Sequence, residues 1–274
     1  MADTSALSKP KAVIFDIGGV VLRSPFIGIA GYERDIKLPT NYLNTSIVGR
    51  GSNGAWQRFE RGELSLFEFY EGFGKDLSDT VNGNIWYKAY CERNGLACPP
   101  LPQSLNIDGR ALFGRMMRES GTYDPHIYRA IHKLRAAKKH RIIALTNNFS
   151  RTDSSGDPLP ASELAFLGWD RGGATPPQLR ALFDDFIDSS QVGMRKPDPK
   201  FYLLACDRNG IKPSEAVFLD DIGMNLKAAS KLGIRTIQVH IGQTLDAVKQ
   251  LEEVLGMDLT STVDDGAITV PAKL

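Results

Sequence analysis

Short apolar runs that end in polar residues recur along the chain. The first, within residues 12–22, is rich in β-branched and aromatic residues and is broken by Asp16, after which Gly18-Gly19 follow. Runs of this composition predict buried strands. Four later runs also predict strands, and they are Arg141-IIALTNN, Asp185-FIDSS, Ala216-VFLDD and Arg235-TIQVH.

Segments with apolar residues at three- and four-residue steps lie between these runs and predict helices. Asp124-Pro125 and Asp198-Pro199 each combine an N-cap residue with a proline at the first helical position. Further helices are predicted over 222–232 and 245–255. Strands and helices that alternate through short loops indicate an α/β fold with a parallel sheet.

Residues 25–122 depart from this alternation. They hold helix-like segments broken by Gly, Asn and Pro, with no convincing strand, and are interpreted as an inserted helical cap. The predicted core is then formed by 11–24 and 123–256, and a weakly patterned tail covers 257–274. A Gly- and Pro-rich stretch over 151–180 interrupts the core, and it is long for a loop without a function.

Composition narrows the classes of function. The 274 residues carry a formal net charge of +1 and are 42% hydrophobic, which is ordinary for a globular protein and gives no reason to expect nucleic acid or an anionic membrane as a partner. Three cysteines without Cys-x-x-Cys spacing predict neither a disulfide framework nor a zinc site. The polar start predicts no secretory signal, so the cytoplasm is the expected location. Ala272-Lys273-Leu274 resembles a peroxisomal address and keeps the peroxisome as an alternative.

Three predicted strands end in polar residues that suit a common site. Asp16, Thr146 and the Asp220-Asp221 pair follow apolar runs, and the carboxyl ends of parallel strands share the edge of the sheet where ligands bind. Any one of these residues alone is better explained as a cap or turn residue, whereas the three together favour a site. Carboxylate oxygens suit Mg²⁺, and glycines after Asp16 let backbone N–H groups approach an anion. Lys196 can reach the same edge as a cation.

These motifs resemble the haloacid dehalogenase superfamily over residues 11–22 and 123–256. The resemblance implies a Rossmann-like parallel sheet core with an inserted helical C1-type cap. Within the superfamily, the sequence is most similar to the amino-terminal phosphatase-like domains of soluble epoxide hydrolases and of acyl-CoA dehydrogenase fusion proteins. The four segments that carry the resemblance, similar to motifs I to IV in this order, are Phe15-DIGGV, Ala144-LTNN, Gly193-MRKPDPKFY and Val217-FLDDIGMNLKAASKLG.

The resemblance implies a Mg²⁺-dependent phosphatase that acts on a small phosphorylated molecule. Asp16 is the expected nucleophile, which takes the phosphoryl group as an aspartyl phosphate, and Lys196 neutralises charge on both groups. A homodimer is left open. The binding roles that the resemblance implies are metal binding by Asp16, by the carbonyl of Gly18, by Asp221 and, directly or through water, by Asp220, and phosphate binding by Thr146, Asn147 and Gly19.

One position departs from the family's phosphatases. They usually carry a second aspartate two residues after the nucleophile, which protonates the leaving oxygen, and Gly18 stands at that position here. General acid–base catalysis contributes roughly 10² to 10⁴ in rate, so the departure matters. Three interpretations remain. In the first, the leaving group needs little protonation, as in acyl or anomeric sugar phosphates; in the second, another residue such as Glu60, Glu63 or His126 supplies the proton. In the third, the domain is weakly active or inactive and binds a ligand or partner.

Dehalogenation is a rival chemistry that also lacks the second aspartate and needs no metal. The Asp220-Asp221 pair argues against it. Adjacent carboxylates beside Asp16 are electrostatically costly without a cation, so the pair implies Mg²⁺ and phosphoryl chemistry.

Overall fold

The computed structural model describes residues 9–149, 158–169, 173–261, 268–271 and 273. Two of the three residues of the proposed peroxisomal address, Ala272 and Leu274, lie outside the described residues, as do 151–157 and 170–172 of the interrupting stretch. The described chain forms five strands, which are β1 Ala12–Phe15, β2 Arg141–Thr146, β3 Asp185–Asp188, β4 Ala216–Asp220 and β5 Arg235–Gln238.

The five strands form one parallel sheet in the order β3-β2-β1-β4-β5. Phe15 in the central strand pairs with Ala144 of β2 and with Leu219 of β4. This register places Asp16 one residue beyond β1, level with Asp220 at the end of β4 and one residue before the end of β2. The prediction of an α/β fold with a parallel sheet is therefore confirmed.

Both faces of the sheet are buried, as the continuous apolar runs predict. Side chains of successive strand residues point to opposite faces. Val13 and Phe15 accordingly belong to one apolar cluster, with Ile131 and Leu134, whereas Ile14 belongs to another on the opposite face.

The helices around the sheet begin where the sequence predicts. Asp124 caps the helix that starts at Pro125, where its carboxylate accepts hydrogen bonds from two backbone N–H groups, and Asp198 caps the helix that starts at Pro199. In the part of the chain that the structure describes, the helices are α1 Phe26–Asp35, α2 Tyr42–Gly49, α3 Ala55–Glu60, α4 Leu66–Ser78, α5 Thr80–Arg93, α6 Gly109–Ser120, α7 Pro125–Ala137, α8 Ala161–Leu167, α9 Pro177–Arg180, α10 Ser189–Val192, α11 Pro199–Arg208, α12 Gly223–Lys231 and α13 Thr244–Leu255.

The chain divides into two compact units. The sheet unit comprises the described residues of Met1–Arg23, Thr122–Asn147 and Thr175–Leu274, and the helical unit comprises those of Ser24–Gly121 and Asn148–Ala174. The division predicted from the sequence differs for Asn148–Ala174, because it assigned all of 123–256 to the core. The pattern of apolar and polar residues does not show which unit this segment joins. That depends on the residues against which the segment packs.

The helical unit has its own apolar core, built largely from aromatic rings. Phe59 stacks on Phe69 with ring centroids 4.1 Å apart, and it stacks on Phe149 at 4.8 Å. Trp56 meets Phe149 edge-on at 5.4 Å. Phe149 follows the end of β2 closely in sequence, and the packing of its ring explains why the helical unit resumes at Asn148. Among the described helices, none combines the length and the apolar character that a bilayer crossing requires.

Candidate active site

Asp16 and Lys196 form a buried ion pair at the carboxyl edge of the sheet. The Lys196 Nζ lies 2.8 Å from Asp16 Oδ1 and 2.7 Å from Asp220 Oδ2. Lys196 is 1% exposed and Asp220 is fully buried, so one ammonium bridges the carboxylates that follow β1 and end β4. Asp16 Oδ1 also accepts a hydrogen bond of 2.6 Å from the backbone N–H of Ile17.

A third carboxylate completes an acidic cluster. One oxygen from each of Asp16, Asp220 and Asp221 lies within 4.8 Å of the others. The three carboxylates and Lys196 have a formal net charge of −2 when all are ionised. Hard carboxylate oxygens at this spacing suit a small divalent cation, which would reduce the repulsion among them.

Burial and crowding raise the pKa values of two carboxyl groups. Burial raises the pKa of Asp16 to about 7, with a further increase from Asp220, against the opposing charge of Lys196. Burial, together with the charges of Asp16 and Asp220, holds the pKa of Asp221 well above its usual range. Burial alone would lower the pKa of Lys196, but the two carboxylates outweigh it and raise that pKa. The cluster is therefore short of positive charge.

Asp220 differs from its neighbour in how its oxygens are engaged. Its Oδ1 accepts a hydrogen bond of 2.7 Å from the backbone N–H of Ile222, and the Asn225 amide donates to both of its oxygens at 3.1 Å. With Lys196 also on Oδ2, this carboxylate has several donors around it. Its position fits the water-mediated option for Asp220 better than direct coordination of a cation.

Asn225 is a site residue that sequence reasoning did not identify. It lies in the first turn of α12, five residues after Asp220, and it is 3% exposed. The Tyr202 hydroxyl donates to the Asn225 carbonyl at 3.0 Å. An asparagine five residues after Asp220 is visible in the sequence. Only the folded structure shows that its amide donates hydrogen bonds to the Asp220 carboxylate.

Gly19 lies in the turn after β1, against the Asp221 carboxylate. Its N–H donates to the carbonyl of Leu22 at 2.8 Å within this turn, and its role in phosphate binding stays a prediction. Its φ is +87°, and a Cβ there would lie 2.1 Å from Asp221 Oδ2. Glycine is required at this position because any side chain would displace the Asp221 carboxylate.

Asn147 also contacts the site in an unexpected way. Its side-chain Nδ2 donates to the Lys196 carbonyl at 3.1 Å, and its Oδ1 accepts from the Lys196 backbone N–H at 2.8 Å. The side chain therefore fixes the loop that carries the lysine, and only its backbone amide remains a candidate for phosphate. Thr146 is the last residue of β2 and is 4% exposed.

The candidate proton donors are distributed over both units. Glu60 and Glu63 belong to the helical unit, where Glu63 forms ion pairs with Arg58 and Arg61. His126 lies in the first turn of α7, where its backbone N–H donates to Asp124. Gly18 forms an isolated bridge with Leu22 and carries no side chain that could transfer a proton. The source of the proton stays a prediction.

The sequence matches the haloacid dehalogenase-like hydrolase family over residues 10–233. The chain therefore belongs to this family, and it is a hydrolase of the haloacid dehalogenase type. The predicted family resemblance, including its similarity to epoxide hydrolase proteins, is confirmed.

Three relatives align with most of this chain. Acyl-CoA dehydrogenase family member 10 of Mus musculus is 34% identical over 250 residues, which cover 91% of this chain and 19% of that protein. Bifunctional epoxide hydrolase 2 of Sus scrofa is 29% identical, over 92% of this chain and 40% of that protein. The chain thus spans well under half the length of both. Sesquiterpene phosphatase astK of Aspergillus oryzae is 23% identical over 90% of this chain and 97% of that protein.

A solved structure supports the fold. The magnesium complex of a haloacid dehalogenase family enzyme from Bacteroides thetaiotaomicron superposes with a TM-score of 0.51 and 20% identity, over 86% of this chain and 96% of that chain. The shared architecture is consistent with the parallel sheet and flanking helices described above.

Proposed function

We propose that the protein is a Mg²⁺-dependent phosphatase that acts through an aspartyl phosphate on Asp16. The observation that carries the proposal is the buried Asp16–Lys196 pair, with a separation of 2.8 Å, next to two further carboxylates. A carboxylate held at a strand end beside a cation is arranged to approach an anionic phosphoryl group. The phosphatase name of the Aspergillus oryzae relative, which this chain covers almost completely, agrees with this chemistry.

The donor set fits a magnesium ion. Asp16 and Asp221 are the carboxylates that would hold it, with the Gly18 carbonyl, and Asp220 would act through water because its oxygens already accept hydrogen bonds. Gly19 fits the same interpretation, since the absence of a Cβ lets Asp221 lie against the turn. When bound, Mg²⁺ would neutralise charge on the carboxylates and on the phosphoryl oxygens.

In the first chemical step, the Asp16 carboxylate attacks phosphorus. An oxygen–phosphorus bond forms, the bond from phosphorus to the leaving oxygen breaks, and the leaving group departs with the electron pair. Water then attacks the phosphorus of the aspartyl phosphate, which releases inorganic phosphate and restores the carboxylate. Lys196 lies beside Asp16 Oδ1, where its positive charge reduces the repulsion between the Asp16 carboxylate and the incoming phosphoryl group.

Gly18 defines the class of substrate within this proposal. A chain without the usual aspartate at this position favours leaving groups that are stable without a proton, so acyl phosphates and anomeric sugar phosphates are the preferred candidates. The alternative of an inactive ligand-binding domain is less favoured, because Asp16, Lys196 and the acidic pair are all held in one cluster.

The experiment is a phosphate-release assay with Mg²⁺ over a matched panel. Acetyl phosphate, glucose 1-phosphate and p-nitrophenyl phosphate are compared with a simple alkyl phosphate and a sesquiterpene monophosphate. We expect turnover of the first three that is lost in Asp16→Asn and retained in Asp207→Asn, an exposed position on α11. Turnover that persists in Asp16→Asn, or none on any substrate, would contradict the proposal.

A further inference from the structure

Two cysteines of the helical unit line the same cavity. Cys91 is in the last turn of α5 and is 2% exposed, whereas Cys98 is exposed on the segment that follows. Both side chains line the same cavity, and Cys98 is one of the neighbouring groups that raise the pKa of the Cys91 thiol. Both are free thiols in the structure. A buried cysteine by itself packs as a small apolar residue, but a second, exposed thiol on the same cavity offers it a partner for oxidation.

The turn after α5 builds this pair. The backbone N–H of Leu96 donates to the Cys91 carbonyl at 2.9 Å, which closes the end of the helix. Gly95 permits the reversal with a φ of +63°, a conformation that other residues rarely adopt. The chain therefore reverses after the helix and places Cys98 on the cavity that Cys91 also lines. The arrangement follows from the closed turn between two residues that are seven positions apart.

The pair also has access to small molecules. Cys91 and Cys98 line a common cavity of about 580 Å³ in the helical unit, together with Asn84, Lys88 and Leu101. A small oxidant can enter a space of that size. Cys98 is the sulfur it meets first, because Cys91 is buried and burial raises the pKa of its thiol.

We propose that Cys91 and Cys98 form a reversible intramolecular disulfide when a hydroperoxide reaches this cavity. The Cys98 sulfur attacks the peroxide oxygen, breaks the O–O bond and becomes a sulfenic acid, while the alcohol or water leaves. The Cys91 sulfur then attacks Cys98, the S–S bond forms, and water leaves with the Cys91 proton. In total, two thiols and one hydroperoxide give one disulfide, one alcohol or water, and one further water.

The sequence offers a direct readout. Arg93 lies between the two cysteines, so trypsin places Cys91 and Cys98 on separate peptides, 89–93 and 94–110. The full chain is treated with hydrogen peroxide at a molar equivalent, denatured, alkylated and digested without reductant. We expect an intact mass lower by two hydrogens and a linked pair of these peptides, with both signals reversed by dithiothreitol.

Two variants separate this disulfide from general oxidation. Cys206→Ser changes the remaining cysteine, which is buried in the sheet unit, and should leave the linked peptides unchanged. Cys98→Ser changes an exposed residue, so it is expected to fold, and should abolish the link and leave Cys91 open to alkylation after denaturation. Circular dichroism checks the fold of each variant.

Three results would overturn the proposal. The first is that wild-type protein still has both cysteines alkylated after the peroxide treatment. The second is that Cys91 is found linked to Cys206, and the third is that the link joins two molecules, which a non-reducing gel shows as a dimer. The wild-type peptide map alone decides the question even if a variant fails to fold.

Discussion

The side chain of Asn147 holds the backbone of Lys196 at two points, with hydrogen bonds of 2.8 and 3.1 Å. The first residue follows β2 and the second carries the ammonium that lies 2.8 Å from Asp16. The Lys196 side chain is held by Asp16 and Asp220, and its backbone is held by the side-chain amide of Asn147. This contact links the motif that follows β2 to the charge balance around Asp16.

Asn147→Ala should therefore impair catalysis more than stability. Loss of two hydrogen bonds costs about 1–3 kcal/mol of unfolding free energy, while displacement of Lys196 lowers kcat by roughly 10- to 100-fold. The matched control is Asn209→Ala, since the Asn209 side chain bonds Asp185 and Arg141 at the opposite edge of the sheet. We expect the control to lose comparable stability in urea unfolding with an unchanged kcat. Equal kcat in the two variants would contradict a positioning role.

Asp16 should make the metal-free protein less stable as pH rises. Burial raises its pKa from 3.8 to about 7 in the folded state. Between these values the unfolded chain has released the proton and the folded chain retains it, so unfolding becomes progressively easier, and above about pH 7 the loss is complete.

Asp16→Asn should remove this part of the pH dependence. At pH 8 and without metal, we expect the variant to be more stable than wild type by at most about 4 kcal/mol, with no difference near pH 3. Lys196 keeps Asp220 as a partner in the variant. Urea unfolding in a chelator across pH 3–9 measures the effect, and Asp207→Asn, at an exposed position, should follow wild type. A variant less stable than wild type at pH 8 would oppose the assigned pKa.

Gly19→Ala should weaken metal binding. The added Cβ would lie 2.1 Å from Asp221 Oδ2, at a backbone φ of +87° that disfavours alanine. We expect Mg²⁺ to raise the thermal midpoint of wild type and to raise it much less in Gly19→Ala and in Asp221→Asn. Gly210→Ala is the control, because that glycine also has a positive φ, +63°, but no atom within 4 Å of the added carbon. An equal Mg²⁺ response in all four proteins would exclude the acidic cluster as the metal site.

Gly18→Asp should extend the range of leaving groups. An aspartate there restores a proton donor, and we expect the rate on a simple alkyl phosphate to increase by about 10²-fold, with little change on acetyl phosphate. Gly18→Asn has nearly the same size and no proton to give, so it should show no increase. Initial rates of phosphate release on both substrates compare the three proteins. Equal gains in Gly18→Asp and Gly18→Asn would attribute the effect to packing instead of proton transfer.

The sequence predicts those parts of the fold that depend on local patterns. The buried β-branched runs predict the strands, and Asp124 and Asp198 mark the helix starts, because a capping residue and a following proline act within one turn. The position of Asp16 at a shared strand edge follows from parallel pairing. These features need no knowledge of which distant residues meet.

The parts that sequence patterns do not predict depend on contacts between distant segments. The Asn147 amide reaches Lys196, 49 residues away, and Phe149 packs against Phe59 in the helical unit. Gly19 makes room for the Asp221 carboxylate, about 200 residues further along the chain. None of these contacts produces a periodic pattern in the sequence, so they become visible only in the folded structure.

The most direct measurement is chemical trapping of the phosphorylated enzyme. The protein is mixed briefly with acetyl phosphate and Mg²⁺, quenched, and treated with borohydride, which reduces an aspartyl phosphate to homoserine. Peptide mass spectrometry is expected to find homoserine at position 16 in wild type, and none in Asp16→Asn or without substrate. Turnover of acetyl phosphate with an unmodified Asp16, or with the modification on another carboxylate, would contradict Asp16 as the nucleophile.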